Sequence, residues 1–394
     1  MPRTLTPRPA CRLHPPAVIC PLGDDAATIV DRLFGGQRRL AISDAFTPGR
    51  PLPLGRVTTP LPDDGAWPVA HRSRNNRLLA AALTRLAPTL ADFRARHPEA
   101  RIGVILGTST SGIGETEAAL AERRRLGDWP ADFHYQRHEI GSPSAFVAEH
   151  LGLTGPAYTL STACSSSAKA LASGRRLLAA GACDAVITGG ADSLCGLTVN
   201  GFSALEAVSE APCLPFSANR DGINLGEAAA LFLMTPDEGG IQLAGYGETS
   251  DAHHISAPRP DGAGARAAMQ TALEMAGLTP GDVDYLNLHG TATTQNDLME
   301  AKAVSALFDT PPPCSSTKSL TGHTLGACGA LEAAFCWLAL DAGRLPPAVN
   351  DGEPDPALPP LPLSAGGHAA LRYALSNAFA FGGNNIALLL EKTP

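Results

Sequence analysis

Hydrophobic positions along the chain follow two alternating rhythms. Apolar β-rich runs such as RIGVILG and DAVITGGAD are separated by stretches with helical spacing, which predicts layered α/β architecture. Two halves also echo each other, with a seam at residues 236–240 that divides 1–238 from 239–394. In the first half a helix predicted over 77–96 leads through HPEA into a strand over 101–110. In the second, a helix over 263–276 leads through GLTPGDV into a strand over 284–293. Both strands end in Gly-Thr-x-Thr.

The echo continues downstream. YTLSTACSSSAKALASGRRLLAAG reads as a strand, a sharp polar turn and a helix of small residues. PCSSTKSLTGHTLGACGALEAAFCWLALDAG repeats that order with a longer turn. Each half closes on a predicted hairpin, ACDAVITGGADSL with EAAALFLMT, and RYALSNAFAFGG with NNIALLLEK. Helices this rich in alanine, over 168–180 above all, suit burial between two sheets that approach closely. The expected fold is a five-layer αβαβα sandwich with the two small-residue helices at its centre.

Composition narrows the function. At 394 residues, 44% hydrophobic and 17% charged, the chain is globular and large enough for two cores. Its net charge of −8 gives no overall attraction to nucleic acid or anionic membrane. No apolar run is expected to reach the roughly 18 residues of a membrane span. The proline-rich start MPRTLTPRPACRLHPPAV lacks the continuous apolar core of a signal peptide. Nine cysteines without a C-x-x-C pair give no zinc or disulfide framework, so a reducing cytoplasm is expected.

Three residues stand out chemically. Cys164, in the strand-to-helix turn TLSTACSSSAKA, is placed at a helix N-terminus, where the helix dipole favours thiolate. For the other cysteines a small buried hydrophobe is the better account. His289 follows a strand in NLHGTATTQND, and His323 precedes the other central helix in STKSLTGHTLGACGALE. Each histidine alone reads as structural, but a duplicated fold brings both strand ends toward Cys164. Gly262 to Ala267 superficially fits a dinucleotide fingerprint, without the preceding strand that motif requires.

The TACSSS turn, PFSANRDGINLGEAAA, HGTAT, KSLTGHTLGACGALE and SNAFAFGGNN, in that order, resemble the β-ketoacyl-acyl carrier protein synthases of the thiolase-like superfamily. The resemblance runs from about residue 16 to the C-terminus. It implies that Cys164 takes an acyl chain from a carrier-protein thioester, while His289 and His323 bind a malonyl thioester and promote decarboxylation. It further implies an oxyanion hole from the backbone N–H groups of Cys164 and Phe381, with Phe381 as an acyl gate. Lys318 and Glu332 match a buried supporting pair, and Thr291 and Thr293 match contacts to phosphopantetheine. No cofactor or metal is expected beyond that carrier-borne arm. Ala380 departs from the family's GFGG loop, where glycine is usual, and GEAAA replaces GEGA.

HRSRNNRLLAAAL, GPAYTLSTACSSSA, SDAHHISAPRPDG and SNAFAFGGNN look most like ketosynthases of bacterial aryl polyene clusters. A fatty-acid elongation ketosynthase is the alternative, followed by a coenzyme A thiolase or a non-catalytic chain-length partner. The implied partners are an acidic acyl carrier protein, docking at Arg72, Arg74, Arg77 and Arg220, and a second ketosynthase-like chain, identical or paralogous. The resemblance implies that a strand near 198–202, or one of its neighbours, pairs across that two-fold interface, with GTSTSGIGETEA beside an acyl pocket there. Arg123–Arg125 reads as a solvated helix face. His253 and His254 either flank the acyl tunnel or serve loop packing.

Overall fold

Strands that are apolar on both faces need cover on both faces, and that requirement sets the architecture. The computed structural model describes residues 10–393, so the first nine residues of the segment read as lacking a signal sequence lie outside the described residues. Among the described residues eleven strands share one hydrogen-bonded sheet. They are β1 (Arg12–Leu13), β2 (Ala17–Ile19), β3 (Ile102–Gly107), β4 (Ala157–Leu160), β5 (Ala185–Asp192) and β6 (Ala228–Thr235) in the first half. The second half supplies β7 (Ile241–Ser250), β8 (Tyr285–Asn287), β9 (Cys314–Ser315), β10 (Tyr373–Ala380) and β11 (Asn384–Lys392).

Their order is β9-β8-β10-β11-β7-β1-β6-β5-β3-β4, with β2 beside β6. The duplication is plain in the pairing. β3 runs parallel to β4 and β5, and β5 antiparallel to β6. Likewise β8 runs parallel to β9 and β10, and β10 antiparallel to β11. Both predicted hairpins are therefore present. The short β1 joins the two sheets, Arg12 pairing with Thr235 on one side and Gln242 on the other.

Helices complete five layers. α1 (Arg74–Arg96) and α3 (Ser142–Leu151) pack on the outer face of the first sheet, and α6 (Ala263–Ala276), with α7 (Thr294–Leu307) beside it, on the second. Between the sheets lie α4 (Ser166–Ala179), on β3 and β5, and α8 (Cys328–Ala342), on β10 and β11; the two touch each other. Two further helices, α2 (Ile113–Leu126) and α5 (Gly196–Ala204), pack together at the edge of the first half. The small residues of the central layer serve this contact. A Cβ on Gly329 would lie 2.6 Å from the Ala168 Cβ and 2.7 Å from its backbone nitrogen.

Several expectations need correction. The helix predicted from residue 77 begins at Arg74, because Ser73 caps it by accepting from the Asn76 N–H. The strand predicted over 284–293 spans only Tyr285–Asn287; beyond it Ala292 adopts φ +64° and the chain turns into the site. No interface strand exists at 198–202, which lies within α5. The segment Leu325–Ala342 is, by length and composition, long and apolar enough to cross a membrane, contrary to the sequence expectation. Its position between two sheets accounts for that composition, since a helix apolar all round belongs in an interior.

Gly329→Val should lower unfolding stability by about 1–3 kcal/mol through overpacking at the α4–α8 contact. Urea denaturation measures it, and a loss below about 0.5 kcal/mol would mean that the helices separate without cost.

Candidate active site

The turn from β4 to α4 is a strained elbow. Ala163 is held at φ +53°, unfavourable for any residue with a Cβ. Three serine hydroxyls hold it there. The Ser166 hydroxyl accepts from the Thr162 N–H at 2.8 Å and donates to the Ala163 carbonyl at 2.6 Å. Ser165 donates to the Thr162 carbonyl at 2.7 Å, and the Ala330 N–H donates to Ser167 at 2.9 Å, tying the elbow to α8. Gly107 makes room, since a Cβ there would sit 2.3 Å from the Ser167 nitrogen. Cys164 crowns this elbow and is 5% exposed.

His323 meets Cys164 directly, Nε2 to Sγ at 3.0 Å. Burial pushes the Cys164 thiol up to about 12, against the pull of the Lys318 ammonium. A rise from 9.0 to about 12 corresponds to about 4 kcal/mol against thiolate, more than the ~2 kcal/mol a helix terminus offers at best. Burial therefore favours the thiol, against the thiolate that the helix dipole at this turn favours. His323 supplies an acceptor for its proton.

His289 enters from the turn between β8 and α7. Buried Glu300 fixes that turn, accepting from the His289 and Gly290 N–H groups at 2.8 Å each. The two imidazoles lie with centroids 5.4 Å apart and planes at 82°. Behind His289, Lys318 donates to its backbone carbonyl and to the Glu332 carboxylate, and lies 3.3 Å from Nδ1. Burial alone would lower the Lys318 ammonium, but Glu332 outweighs it and holds lysine charged. Burial first, and Lys318 second, push both imidazoles well below 6.5, so both are neutral. With the ammonium facing Nδ1, the His289 proton resides on Nε2, where it can be donated.

Cys164, His289 and His323 line one cavity of about 370 Å³, together with Phe381, Thr291 and Thr293. The Thr293 side chain caps α7 by accepting from the Asn296 N–H and lies 2.9 Å from the Thr291 hydroxyl. The N–H groups of Phe381 and Cys164 both approach the thiol. Phe381 packs on Phe202 with centroids 5.4 Å apart. Ala380 is extended at φ −107°, and the left-handed positions are Gly382 and Gly383, so its Cβ brings no backbone strain. The donor atoms of Cys164, His289 and His323 lie within 4.8 Å of one another. A soft divalent cation would accept such a set, but the ammonium beside His289 opposes further positive charge.

The four candidate docking arginines each have partners within the chain. Arg74 grips Glu227, a side chain only 1% exposed, through both Nε and an η nitrogen. Arg220 is buried against Asp355. Arg72 donates to the Trp67 and Gly65 carbonyls and Arg77 to those of Pro62 and Leu61. All four arginines brace the fold. Arg123 covers the Trp129 ring and Arg125 pairs with Glu122, as on a solvated helix face. His254 lines the cavity while its Nδ1 accepts from the Ser256 and Ala257 N–H groups; His253 lies outside that lining. Gly262 caps α6 close against the Met299 carbonyl, which explains the dinucleotide-like glycines by packing.

Sequence reasoning missed Cys328 and Asp192. The Cys328 thiol donates to the Cys164 carbonyl at 3.1 Å, and Asp192 gathers bonds from both halves. The buried position of TLGACGALE was a signal for the first. The second carried none beyond ending an apolar strand.

Two measurements probe this electrostatic arrangement. Lys318→Met strands the Glu332 carboxylate in the interior and should cost about 3–5 kcal/mol in denaturant unfolding. Lys318→Met/Glu332→Leu should recover most of it; a single-variant loss under about 1 kcal/mol would contradict a charged buried pair. The histidines predict a pH effect. Unfolded imidazole binds protons below about 6.5, whereas the folded rings do so only at lower pH. Their contribution is therefore complete above pH 6.5 and declines as pH falls toward the folded value. Between pH 7.5 and 5.5, His289→Gln should reduce the acid-side loss of stability by about 1 kcal/mol. An unchanged acid-side loss would mean that this ring is protonated in the folded chain.

Known proteins are similar to this chain in sequence and fold. Residues 70–239 match the family model of the β-ketoacyl synthase N-terminal domain, and residues 241–351 that of the C-terminal domain. A 3-oxoacyl-[acyl-carrier-protein] synthase 2 of Staphylococcus aureus is 36% identical over 315 residues, covering 74% of this chain and 75% of that protein. The mitochondrial 3-oxoacyl-[acyl-carrier-protein] synthase of Arabidopsis thaliana is 35% identical, covering 73% of this chain and 68% of its own length. Among solved structures, a ketosynthase in complex with its chain length factor from Xenorhabdus doucetiae superposes with TM-score 0.92 at 43% identity, covering 98% of each chain. With an acylable thiol, two neutral imidazoles and a buried lysine around one cavity, the chain belongs to the β-ketoacyl synthase family.

Proposed function

We propose that this chain condenses a Cys164-bound acyl group with malonyl-acyl carrier protein, releasing CO2 and a 3-oxoacyl thioester. The observation that carries the reading is the 3.0 Å contact of His323 Nε2 with Cys164 Sγ, inside a cavity that His289 also lines. In the first step the thiol proton passes to His323, sulfur attacks the acyl thioester carbonyl, and His323 returns that proton to the departing pantetheine thiolate. The N–H groups of Cys164 and Phe381 receive the oxyanion. In the second, with neutral His323 now in its Nε2–H tautomer, the malonyl thioester carbonyl rests on the two imidazoles. Its carboxylate carbon–carbon bond breaks, and the electron pair becomes an enolate held by imidazole hydrogen bonds. That carbon attacks the acyl-Cys164 carbonyl, a new carbon–carbon bond forms, and the Cys164 thiolate leaves.

Lys318 and Glu332 act as electrostatic support behind His289, and Thr291 and Thr293 face the pantetheine arm. Three of the candidate docking arginines, Arg72, Arg74 and Arg77, belong to one segment that frames the α1 N-terminus, which keeps that neighbourhood a candidate carrier surface even though the individual guanidinium groups are engaged. The pathway we assign is aryl polyene synthesis, supported by the four motif stretches and by 43% identity to the Xenorhabdus doucetiae structure, whose chains are a ketosynthase and its chain length factor. A dimeric state with a like or paralogous chain follows the same likeness. Nine free cysteines fit a reducing cytoplasm.

The decisive assay follows CO2 release and product mass from malonyl- and acyl-carrier protein. The wild type should give chains longer by two carbons, and Cys164→Ala none. A wild type that never elongates any matched donor refutes the condensing reading. Offered 4-hydroxybenzoyl or cinnamoyl-type starters beside straight acyl chains, the enzyme should prefer the aryl donors by at least about tenfold in kcat/KM; equal use would leave fatty-acid elongation as the pathway.

A further inference from the structure

Asp192 ends β5 with its carboxylate fully buried. Six donors converge on it. Thr108 Oγ1 at 2.5 Å, the Ser109 N–H at 2.8 Å, the Thr110 N–H at 3.0 Å and Thr110 Oγ1 at 2.9 Å meet Oδ1. The Ser109 hydroxyl and the Gly326 N–H, the latter at 2.6 Å, meet Oδ2. An ionised carboxylate offers about four lone-pair sites, so these donors saturate it. Five come from the turn after β3 in the first half. The sixth comes from the second half, three residues beyond His323.

The turn it grips is strained. Leu325 sits at φ +50°, and a Cβ on Gly326 would lie 2.8 Å from Asp192 Oδ2 and 2.7 Å from the Ser109 nitrogen. His323 depends on such a grip. In nucleophile–base pairs a third group normally orients the base through its other ring nitrogen. Here the His323 Nδ1 is buried with no hydrogen-bond partner among the described residues. Its ring is placed by the backbone of its turn, through the His323 N–H to the Asn224 carbonyl at 2.6 Å, the Gly226 N–H to the His323 carbonyl at 2.9 Å, and the Gly326 N–H to Asp192.

We propose that Asp192 is the positioning residue for His323: by holding the turn over 322–327 against the first half, it sets the distance between Nε2 and the Cys164 thiol. The inference rests on the condensing reading above. Asp192 therefore does at the backbone what a carboxylate on the ring does elsewhere, and it does so across the two halves of the duplication.

Asp192→Asn turns an amide NH2 toward donors and breaks the set. It should lower kcat for malonyl-dependent condensation by about 30- to 100-fold, with KM for malonyl-carrier protein within about threefold, because the pantetheine contacts are untouched. A kcat within threefold of wild type overturns the inference. So does a fall in kcat accompanied by a parallel rise in KM, which marks general loosening. Thr110→Val removes one donor of near-identical shape and decides the matter if the asparagine variant does not fold. It should show the same split at about three- to tenfold, and unchanged kcat would count against the proposal. An inactive wild type would instead refute the condensing reading, so the two failures are distinct.

Discussion

The contact between α4 and α8 is the constraint on which the rest depends. Both helices begin at turns that carry reactive side chains, and the distance between those turns is the distance between their N-termini. Gly329 against Ala168 brings the backbones together, and Ser167 bonded to Ala330 locks the register. A bulkier pair there would separate Cys164 from His323 and leave a thiol without an acceptor. The five layers can thus be understood as a device for burying two helices so that their first turns meet. The apolar sheets on either side supply the confinement, and Gly107 admits the α4 turn close to β3.

Much of this was legible in the sequence because it is written in periodicity and in small residues. The alternation of apolar runs, the two Gly-Thr-x-Thr turns and the alanine-rich helices specified the layers, the two hairpins and the central pair. Boundaries were less legible where side chains take over from pattern. Ser73 starts α1 three residues early by capping, and β8 ends at Asn287, well short of the expected 293, before a turn in which Gly290 and Ala292 both take positive φ. The strand near 198–202 was expected from the family resemblance and not from the pattern of the chain, and that run folds as a helix packed on α2.

The site divides along the same line. Cys164, His289, His323, Lys318 and Glu332 stand in motifs whose order the sequence displays, and the structure brings all five together. What no sequence pattern carries is which long-range partner a charged residue finds. Arg74 and Arg220 read as exposed cations because their partners, Glu227 and Asp355, are 153 and 135 residues away. Asp192 escaped notice for the same reason, since its donors come from two segments, at 108–110 and at 326, both far from it in sequence. Charge patterning along a chain is informative for solvated faces, as at Arg123–Arg125, and uninformative for buried pairs.

Burial also decides how the charges of the reaction are met. Both imidazoles are neutral, and the cation nearest to them is engaged by Glu332. A free cation in the cavity would favour binding of the malonyl carboxylate, and so would stabilise the state that must lose CO2. In the proposed reaction, neutral N–H donors to the thioester carbonyl would interact weakly with the ground state and strongly with the enolate, whose charge appears only as the carbon–carbon bond breaks. A buried, saturated lysine therefore suits this chemistry better than an exposed one. Lys318 polarises His289 from behind, fixes its proton on Nε2, and stays out of reach of the carboxylate that is to be expelled.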